Sequence, residues 1–157
     1  MKSESEILSA LAKYCSHGER CLFDVRQKLQ AEQLPKAEEQ RIIERLLQEK
    51  FVDEKRFSRS FVHDKFRLNH WGRVKIAYEL KSRGIPPEVA IEAIEAIDED
   101  EYHTVLADLL KKKKRSVDGR SPQEIYQKLV RFASSRGFES ELVSRVLKKM
   151  FKNITDE

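Results

Sequence analysis

A four-residue corner that occurs twice constrains this chain more than any other feature of its sequence. Ser82-Arg83-Gly84-Ile85 reappears 53 residues later as Ser135-Arg136-Gly137-Phe138. The same offset places one apolar stripe on another: Val89, Ala90, Ala93, Ile94 and Ile97 on Leu142, Val143, Val146, Leu147 and Met150. A helix, a glycine turn and a second helix, present in two copies, are typical of proteins that stack small helical units.

A third, looser copy precedes these two. Leu34 corresponds to Ile85 at an offset of 51. The apolar stripe Ile42, Ile43, Leu46 and Leu47, however, corresponds to Val89, Ala90, Ala93 and Ile94 at an offset of 47. A connection about one helical turn longer in the first copy would explain both offsets.

Start and stop signals predict nine helices. N-cap signals lie at Ser3, Asp53 and Ser121, the last followed by Pro122 at the first helical position. The acidic run Asp98-Glu99-Asp100-Glu101 marks the start of a further helix, because negative charge suits a helix N-terminus. Only five Gly and four Pro interrupt 157 residues, which favours helices with short connections. Predicted buried residues include Leu109 and Phe132. The fold class predicted is all-α: three tandem three-helix, helix-turn-helix-like repeats at 1–52, 53–97 and 98–152, then a tail at 153–157.

Nothing in the sequence points to catalysis, a metal or a cofactor. Cys15 and Cys21 flank a predicted turn without a CxxC pair, which disfavours a zinc site. The four histidines lack metal-ligand spacing, and His63 and Asp64 are expected to project from different parts of a helix surface. The glycines are too scattered for a phosphate-binding loop. No apolar run could span a membrane and the first six residues are too polar for a secretory signal, so a reduced, cytoplasmic setting is expected.

Charge is unevenly distributed along the chain. Residues 1–52 carry nine basic and nine acidic side chains, whereas residues 111–152 carry thirteen and four. A basic strip would suit an acidic protein surface or DNA phosphates, although a solvated helix face would have the same composition. The candidate contact residues are Arg67, His70, Arg73, Lys75, Lys81 and Arg83 in the second repeat, and Lys111, Lys112, Lys113, Lys114, Arg115, Arg120, Lys128, Arg131 and Arg136 in the third. Lys75 corresponds to Lys128, and Arg83 to Arg136, so similar basic edges are expected.

Trp71 is the only tryptophan and precedes a predicted helix. It could stack on a base or anchor a protein partner, or it could close the end of a core. The sequence leaves both interpretations open.

Two stretches together resemble the RecX family. The first is Phe51-Val52-Asp53-Glu54-Lys55-Arg56-Phe57, continued by Phe61, Val62, Arg67, Gly72 and Glu79-Leu80-x-x-Arg83-Gly84-Ile85. The second, Arg20-Cys21-x-x-Asp24-Val25-x-x-Lys28-Leu29, is similar to the signature of the family's first repeat. The resemblance extends over about residues 5–151. It departs at Cys21, Asp24, Lys50 and Ser58, where Ser, Glu, Gly and Ala are common in the family. It implies structural roles for Arg20, Asp24, Leu29, Asp53, Phe57, Phe61, Gly72, Glu79, Leu80, Gly84 and Ile85.

The resemblance also implies a function. RecX proteins form curved, elongated arrays of three-helix repeats that bind the groove of the RecA–DNA filament. They limit its ATPase, coprotease and strand-exchange activities and catalyse nothing themselves. This chain is therefore expected to be a monomeric, cofactor-free partner of RecA, with at most weak direct DNA binding. Charge reversal at Arg73 and Lys75 is expected to weaken inhibition more than reversal at Lys112 and Lys113.

Two alternatives remain at the level of the sequence. A helix-turn-helix protein would read DNA with the second helix of a pair. Residues 87–97 hold three Glu and no Lys or Arg, which argues against this for the middle repeat, whereas 139–152 is more basic. A helical scaffold for another protein is the other alternative.

Overall fold

The structure, a computed structural model, describes residues 2–155, with side chains described through Lys152. Within this range the chain forms nine α-helices and no strand. The helices are α1 (Glu4–Ser16), α2 (Leu22–Gln30), α3 (Lys36–Gln48), α4 (Glu54–Arg67), α5 (Arg73–Ser82), α6 (Pro87–Glu95), α7 (Glu99–Ser116), α8 (Pro122–Ser135) and α9 (Ser140–Thr155). The all-α prediction is confirmed. Helix α9 includes the first three residues of the predicted tail at 153–157, and residues 156 and 157 lie outside the described residues.

The three predicted N-caps, and Asp98 at the start of the predicted acidic first turn, each accept a hydrogen bond from the first turn of their helix. Ser3 Oγ accepts from the Glu6 N–H at 3.1 Å, and Ser121 Oγ accepts from the Glu124 N–H at 3.2 Å. The carboxylates of Asp53 and Asp98 accept from the third residue of α4 and α7 at 3.0 and 2.9 Å. Each cap satisfies a backbone donor that has no partner within the helix, so the start signals in the sequence place these helices correctly.

The duplicated corner is the same helix C-cap built twice. Gly84 and Gly137 have φ of +71° and +92°, the left-handed conformation. In each corner the N–H of the residue after the glycine bonds back to a carbonyl five residues earlier: Ile85 to Leu80 and Phe138 to Ala133, both at 3.1 Å. This bond and the one from the glycine N–H form the Schellman motif.

The first repeat holds the same backbone conformation without glycine. Gln33, which corresponds to Gly84 at the offset of 51, has φ of +50°. Helix α3 begins three residues after Gln33, just as α6 begins three residues after Gly84. The predicted longer connection is therefore wrong. The additional turn belongs to helix α3, which has 13 residues where α6 has 9.

Several predicted buried positions are also corrected. Leu47 is 39% exposed, and Ile97 lies beyond the end of α6. In α7 the buried stripe runs at intervals of four through Tyr102, Leu106 and Leu110, so Leu110 replaces Leu109 in the core. In α8 the same interval from Leu129 buries Ala133 and leaves Phe132 half-buried. A run of adjacent apolar residues does not show which of them faces the core.

The described chain divides into two compact units. Unit 1 contains the chain up to Phe61 and then Leu80–Ala93. The core around its first three helices is formed by aliphatic side chains, eight of which are buried: Ile7, Leu11, Val25, Leu29, Ile42, Ile43, Leu46 and Val52.

Unit 2 contains Val62–Glu79 and the chain from Ile94 onward. An aromatic cluster lies inside it: the Tyr102 ring centroid is 5.7 Å from that of Phe66 and 5.3 Å from that of Phe138. Such ring pairs add to the stabilisation that burial provides. Helices α4, α5 and α6 each contribute residues to both units. The compact units therefore do not test the repeat boundaries at 52/53 and 97/98, which stay a prediction.

Candidate interaction surface

The start of helix α5 lies against the corner between α8 and α9, inside unit 2. Gly72 N–H donates to the Arg136 carbonyl at 2.7 Å, and Val74 N–H donates to the Gly137 carbonyl at 2.9 Å. A Cβ on Gly72 would lie 2.3 Å from the Gly137 oxygen, and one on Gly137 would lie 2.3 Å from Lys75 Cβ. Both glycines are therefore required by a backbone contact that positions α5.

Arg73 lies at the centre of a hydrogen-bonded network in the same place. Its guanidinium donates to Glu139 at 2.8 Å and to Glu99 at 2.5 Å, and lies 3.9 Å from the centroid of the Tyr102 ring. The Tyr102 hydroxyl accepts from the Arg73 backbone N–H at 2.9 Å and donates to the Glu139 carboxylate. The cation of Arg73 is thus engaged within unit 2, where it pairs with a half-buried carboxylate.

The network shifts the ionisation of its members. Burial raises the pKa of Tyr102, and the hydrogen bond to Glu139 adds to that effect. For Glu139, burial alone would raise the pKa, but the hydrogen bonds from Tyr102 and Arg73 outweigh it and hold the pKa below its usual value. Glu139 is therefore a stable anion at neutral pH.

Helix α5 carries apolar residues on two faces. Ile76 and Leu80 are fully buried, whereas Val74 and Tyr78, one turn apart, are 56% and 68% exposed. We call Val74, Lys75 and Tyr78 the outer face of α5. Next to it the half-buried Trp71 ring lies 4.9 and 4.5 Å from the ammonium groups of Lys65 and Lys75. Exposed large apolar side chains beside cations and an aromatic ring are typical of binding surfaces.

The predicted cations of the third repeat fall into two groups. Several are engaged within unit 2. Lys128 Nζ donates to the Asp118 carbonyl and lies 3.5 Å from Glu124, and Arg136 donates to the Asn69 carbonyl at 3.1 Å. Lys113 and Lys114 lie over the rings of Phe132 and Phe151 at 5.1 and 4.7 Å. The remaining predicted cations are at least partly exposed at the surface of unit 2: Lys111, Lys112, Arg115, Arg120 and Arg131.

The candidates in the second repeat are similarly divided. Arg67 pairs with Glu101 at 3.1 Å, and Arg83 lies 4.8 Å from the Phe61 ring centroid within unit 1. Lys81 is exposed. His70 has φ of +55°, and its Nδ1 is buried without a hydrogen-bond partner among the described residues. The guanidinium groups of Arg83 and Arg136 each lie over a Phe ring, whereas Lys75 lies over the Trp71 ring and Lys128 donates to the Asp118 carbonyl.

Most other residues of the family motif make local contacts within unit 1. Arg20 lies 4.1 Å from the Tyr14 ring centroid. The Asp24 carboxylate accepts from the Cys21 backbone N–H at 3.1 Å and caps α2. The Phe57 and Phe61 ring centroids are 5.7 Å apart. Leu29, Leu80 and Ile85 are buried, and Glu79, which lies in unit 2, is half-buried.

The prediction for His63 and Asp64 is wrong. Nδ1 of His63 lies 3.4 Å from Oδ1 of Asp64, because both side chains are exposed and can turn toward each other around the helix. Among the residues that the structure describes, no group of three or more potential ligands could hold a metal ion. Of the described helices, none is both long and apolar enough to cross a membrane.

Sequence reasoning missed the partners that decide what these cations do. Glu139 is 66 residues from Arg73, so no local pattern links them. The outer face of α5 had a readable signal, because Val74 and Tyr78 lie off the helix face that Ile76 and Leu80 share. Lys65, beside Trp71, and Lys149, in a groove between α7 and α9, were not among the candidates.

Known proteins share both the sequence and the architecture. Residues 53–94 match the second three-helix domain of RecX and residues 99–147 match the third. The regulatory protein RecX of Clostridium tetani is 34% identical over 113 residues, which cover 71% of this chain and 51% of that protein. RecX of Chromohalobacter salexigens is 33% identical over 112 residues, 71% of each chain. The crystal structure of RecX from Lactobacillus salivarius is 20% identical and has a TM-score of 0.81 over 93% of this chain and 95% of that one.

The fold and its repeated corners define an all-helical repeat protein built from three-helix units. The chain belongs to the RecX family of regulatory proteins. It spans about half the length of its Clostridium tetani relative.

Proposed function

We propose that this protein is a negative modulator of the RecA recombinase that binds the RecA–DNA filament. Binding would limit the ATPase, coprotease and strand-exchange activities of RecA, and so regulate DNA repair from the cytoplasm. The observation that carries the proposal is membership of a family whose relatives are named regulatory protein RecX. The protein would act as a monomer, by binding alone, without a catalytic step or cofactor of its own.

The surface of unit 2 supports this proposal. The outer face of α5 offers exposed apolar side chains for a protein partner, and Lys111, Lys112, Arg115, Arg120 and Arg131 offer cations. A filament repeats the same protomer surface many times, so several weak contacts on one chain add to an effective affinity. By lying across protomers the chain would oppose the movements that accompany ATP hydrolysis.

The contacts in unit 2 change which residues best test the contact surface. Arg73 is held by Glu139 and Glu99, so its substitution would disturb folding as well as binding. Lys75 and Tyr78 are better probes, because they belong to the outer face of α5, on which Tyr78 is 68% exposed.

The test is the rate of ATP hydrolysis by RecA on single-stranded DNA with rising amounts of this protein. We expect a graded decrease that weakens at higher salt. The double variant Lys75→Glu with Tyr78→Ser should require at least about tenfold more protein for the same inhibition, a loss of about 1.4 kcal/mol. Lys13→Glu with Ser9→Ala, on the exposed surface of α1, serves as the control. Absence of inhibition and of filament binding by the unmodified protein would remove the proposal.

Direct DNA binding is a second candidate, favoured by one observation. Helix α9, the second helix of the last pair, carries Arg145, Lys148 and Lys149 on its accessible surface. A salt titration of DNA binding without RecA separates the two functions. Tight, sequence-selective binding would favour a helix-turn-helix protein, whereas weak and salt-sensitive binding fits an accessory role.

A further inference from the structure

A groove between α7 and α9 in unit 2 lies apart from the outer face of α5. It has a volume of about 450 Å³, within the range of ligand-binding clefts. Ala107 on α7 and Val146 and Met150 on α9 give the groove an apolar surface. Lys111 on α7 and Lys149 on α9 are exposed and bring one cation from each helix.

The helical spacing explains this arrangement. The residues of α7 that line the groove include His103, Ala107 and Lys111, each one position after the buried Tyr102, Leu106 and Leu110. The stripe they form therefore runs along the edge of the core, and eight residues of helix give it a length of about 12 Å. That length corresponds to about two turns of an incoming helix.

The ionisable side chains that line the groove are basic. No Asp or Glu is among its lining residues, and the neighbouring Lys112 and Lys148 are also exposed. Within the residues whose side chains are described, neither Lys111 nor Lys149 forms an ion pair. At one end of the groove, His103 lies 3.4 Å from Glu99. These ammonium groups are therefore available to an acidic partner.

We propose that this groove binds an acidic amphipathic helix of a protein partner. Apolar side chains of that helix would contact Ala107, Val146 and the flexible Met150, while carboxylates beside them would pair with Lys111 and Lys149. A single nucleic-acid strand suits the groove less well, because bases stack best on large aromatic rings and no Phe, Tyr or Trp lines it. The inference goes beyond the proposed function, since it depends on neither RecA nor DNA.

The experiment uses the full chain and a fluorescein-labelled peptide of about 18 residues. The peptide carries Leu at every third or fourth position, with Glu and Ala elsewhere, so that it forms an acidic amphipathic helix. Its twin has Lys in place of every Glu. Fluorescence anisotropy should show saturable binding of the acidic peptide and none of the basic twin, and NMR shift changes should concentrate on residues 103–111 and 146–150.

Two charge variants test the rim of the groove. Lys111→Glu with Lys149→Glu should weaken peptide binding by about tenfold or more, because attraction becomes repulsion. Lys13→Glu with Lys36→Glu changes the net charge equally at exposed positions of unit 1 and should leave binding unchanged. A third variant, Val146→Glu, should weaken binding through the apolar surface, and circular dichroism checks that each variant is folded.

The outcomes separate the possible occupants. Equal binding of both peptides, or equal affinity of the two charge variants, would overturn the proposal. The proposal would also be overturned if the acidic peptide did not bind, while an oligothymidylate bound and lost affinity in the Lys111→Glu, Lys149→Glu variant. RecA inhibition measured on Val146→Glu, which changes none of the cations proposed to contact the filament, is a separate readout: if inhibition persists while peptide binding is lost, the groove proposal and the proposed function are independent.

Discussion

Lys50 ends helix α3 in a conformation that glycine adopts more easily than lysine. Its φ is +59°, and the Phe51 N–H bonds to the Leu46 carbonyl at 2.9 Å as in the two glycine corners. A left-handed non-glycine residue costs about 1 kcal/mol or more. We therefore predict that Lys50→Gly raises the free energy of unfolding by about 0.5–1 kcal/mol, measured in urea. Gln48→Gly, in the last turn of α3, should lower it by a similar amount, and a stabilising effect there would contradict this account.

Gly84 and Gly72 are glycines for two different reasons: Gly84 has a left-handed backbone, and Gly72 has no room for a Cβ. Gly84 has φ of +71°, but no atom lies within 4 Å of the position that a Cβ would occupy, whereas a Cβ on Gly72 would lie 2.3 Å from the Gly137 carbonyl oxygen. Gly84→Ala should therefore lower the free energy of unfolding only by the strain of its backbone, about 1–3 kcal/mol. Gly72→Ala should cost more than Gly84→Ala, because it separates α5 from the corner that receives its hydrogen bonds. Urea denaturation of both variants would contradict this explanation if Gly84→Ala were the more damaging.

The Tyr102 hydroxyl connects three helix termini. It receives the Arg73 N–H at the start of α5 and donates to Glu139, just before α9, from a ring that is fully buried in α7. Removing the hydroxyl leaves a backbone donor and a carboxylate lacking one partner each. Tyr102→Phe should thus lower the free energy of unfolding by about 1–3 kcal/mol with helix content unchanged. Tyr126→Phe in α8 is the control, and an equal loss there would show that the network has no special role.

Glu139 makes the stability of unit 2 depend on pH. Its pKa is below the usual 4.5 in the folded protein, since hydrogen bonds from Tyr102 and Arg73 overcome the effect of burial. The unfolded chain therefore binds this proton first as pH falls. The stabilisation is complete well above pH 4.5 and is lost as pH falls through the lower folded value.

The corresponding variant is Glu139→Gln. At pH 7 it should be less stable than the unmodified protein, and the difference should shrink as pH falls below about 4.5. Thermal unfolding across this range measures the effect. A difference that stays constant with pH would mean that the charge of Glu139 is not what stabilises the network.

At the level of elements, the sequence predicted what is encoded locally. The caps at Ser3, Asp53, Asp98 and Ser121 and the glycine corners each depend on residues within a few positions. Which face of α5 is buried and what Arg73 contacts depend on residues far along the chain, such as Glu139. Arg73 therefore looked like a free cation in the sequence, and only the packing of α5 on the α8–α9 corner shows that it has a structural role.

At the scale of the whole molecule, sequence repeats and compact units do not coincide. The third repeat was expected to begin near residue 98, but unit 2 also contains Val62–Glu79. That segment supplies Phe66 to the aromatic cluster, Gly72 to the backbone contact and Arg73 to the network. The apolar stripes of one repeat lie within about fifty residues of sequence. The segment Val62–Glu79, which completes unit 2, belongs instead to the preceding repeat.

This organisation predicts which fragment can fold alone. A fragment of residues 62–157 retains Phe66, Gly72 and Arg73. A fragment of residues 98–157 keeps the Tyr102–Glu139 hydrogen bond and the Tyr102–Phe138 ring contact, but it lacks those three residues and exposes apolar rings to water. We expect a cooperative thermal transition by circular dichroism for the longer fragment, and for the shorter one a broad transition at least about 10 °C lower. Gly72→Ala in the longer fragment should reproduce most of that loss, since it breaks the same contact without shortening the chain. If the shorter fragment melted as cooperatively and at the same temperature, the repeat of residues 98–152 would be an independent folding unit, and its contacts with residues 62–79 would contribute little to its stability.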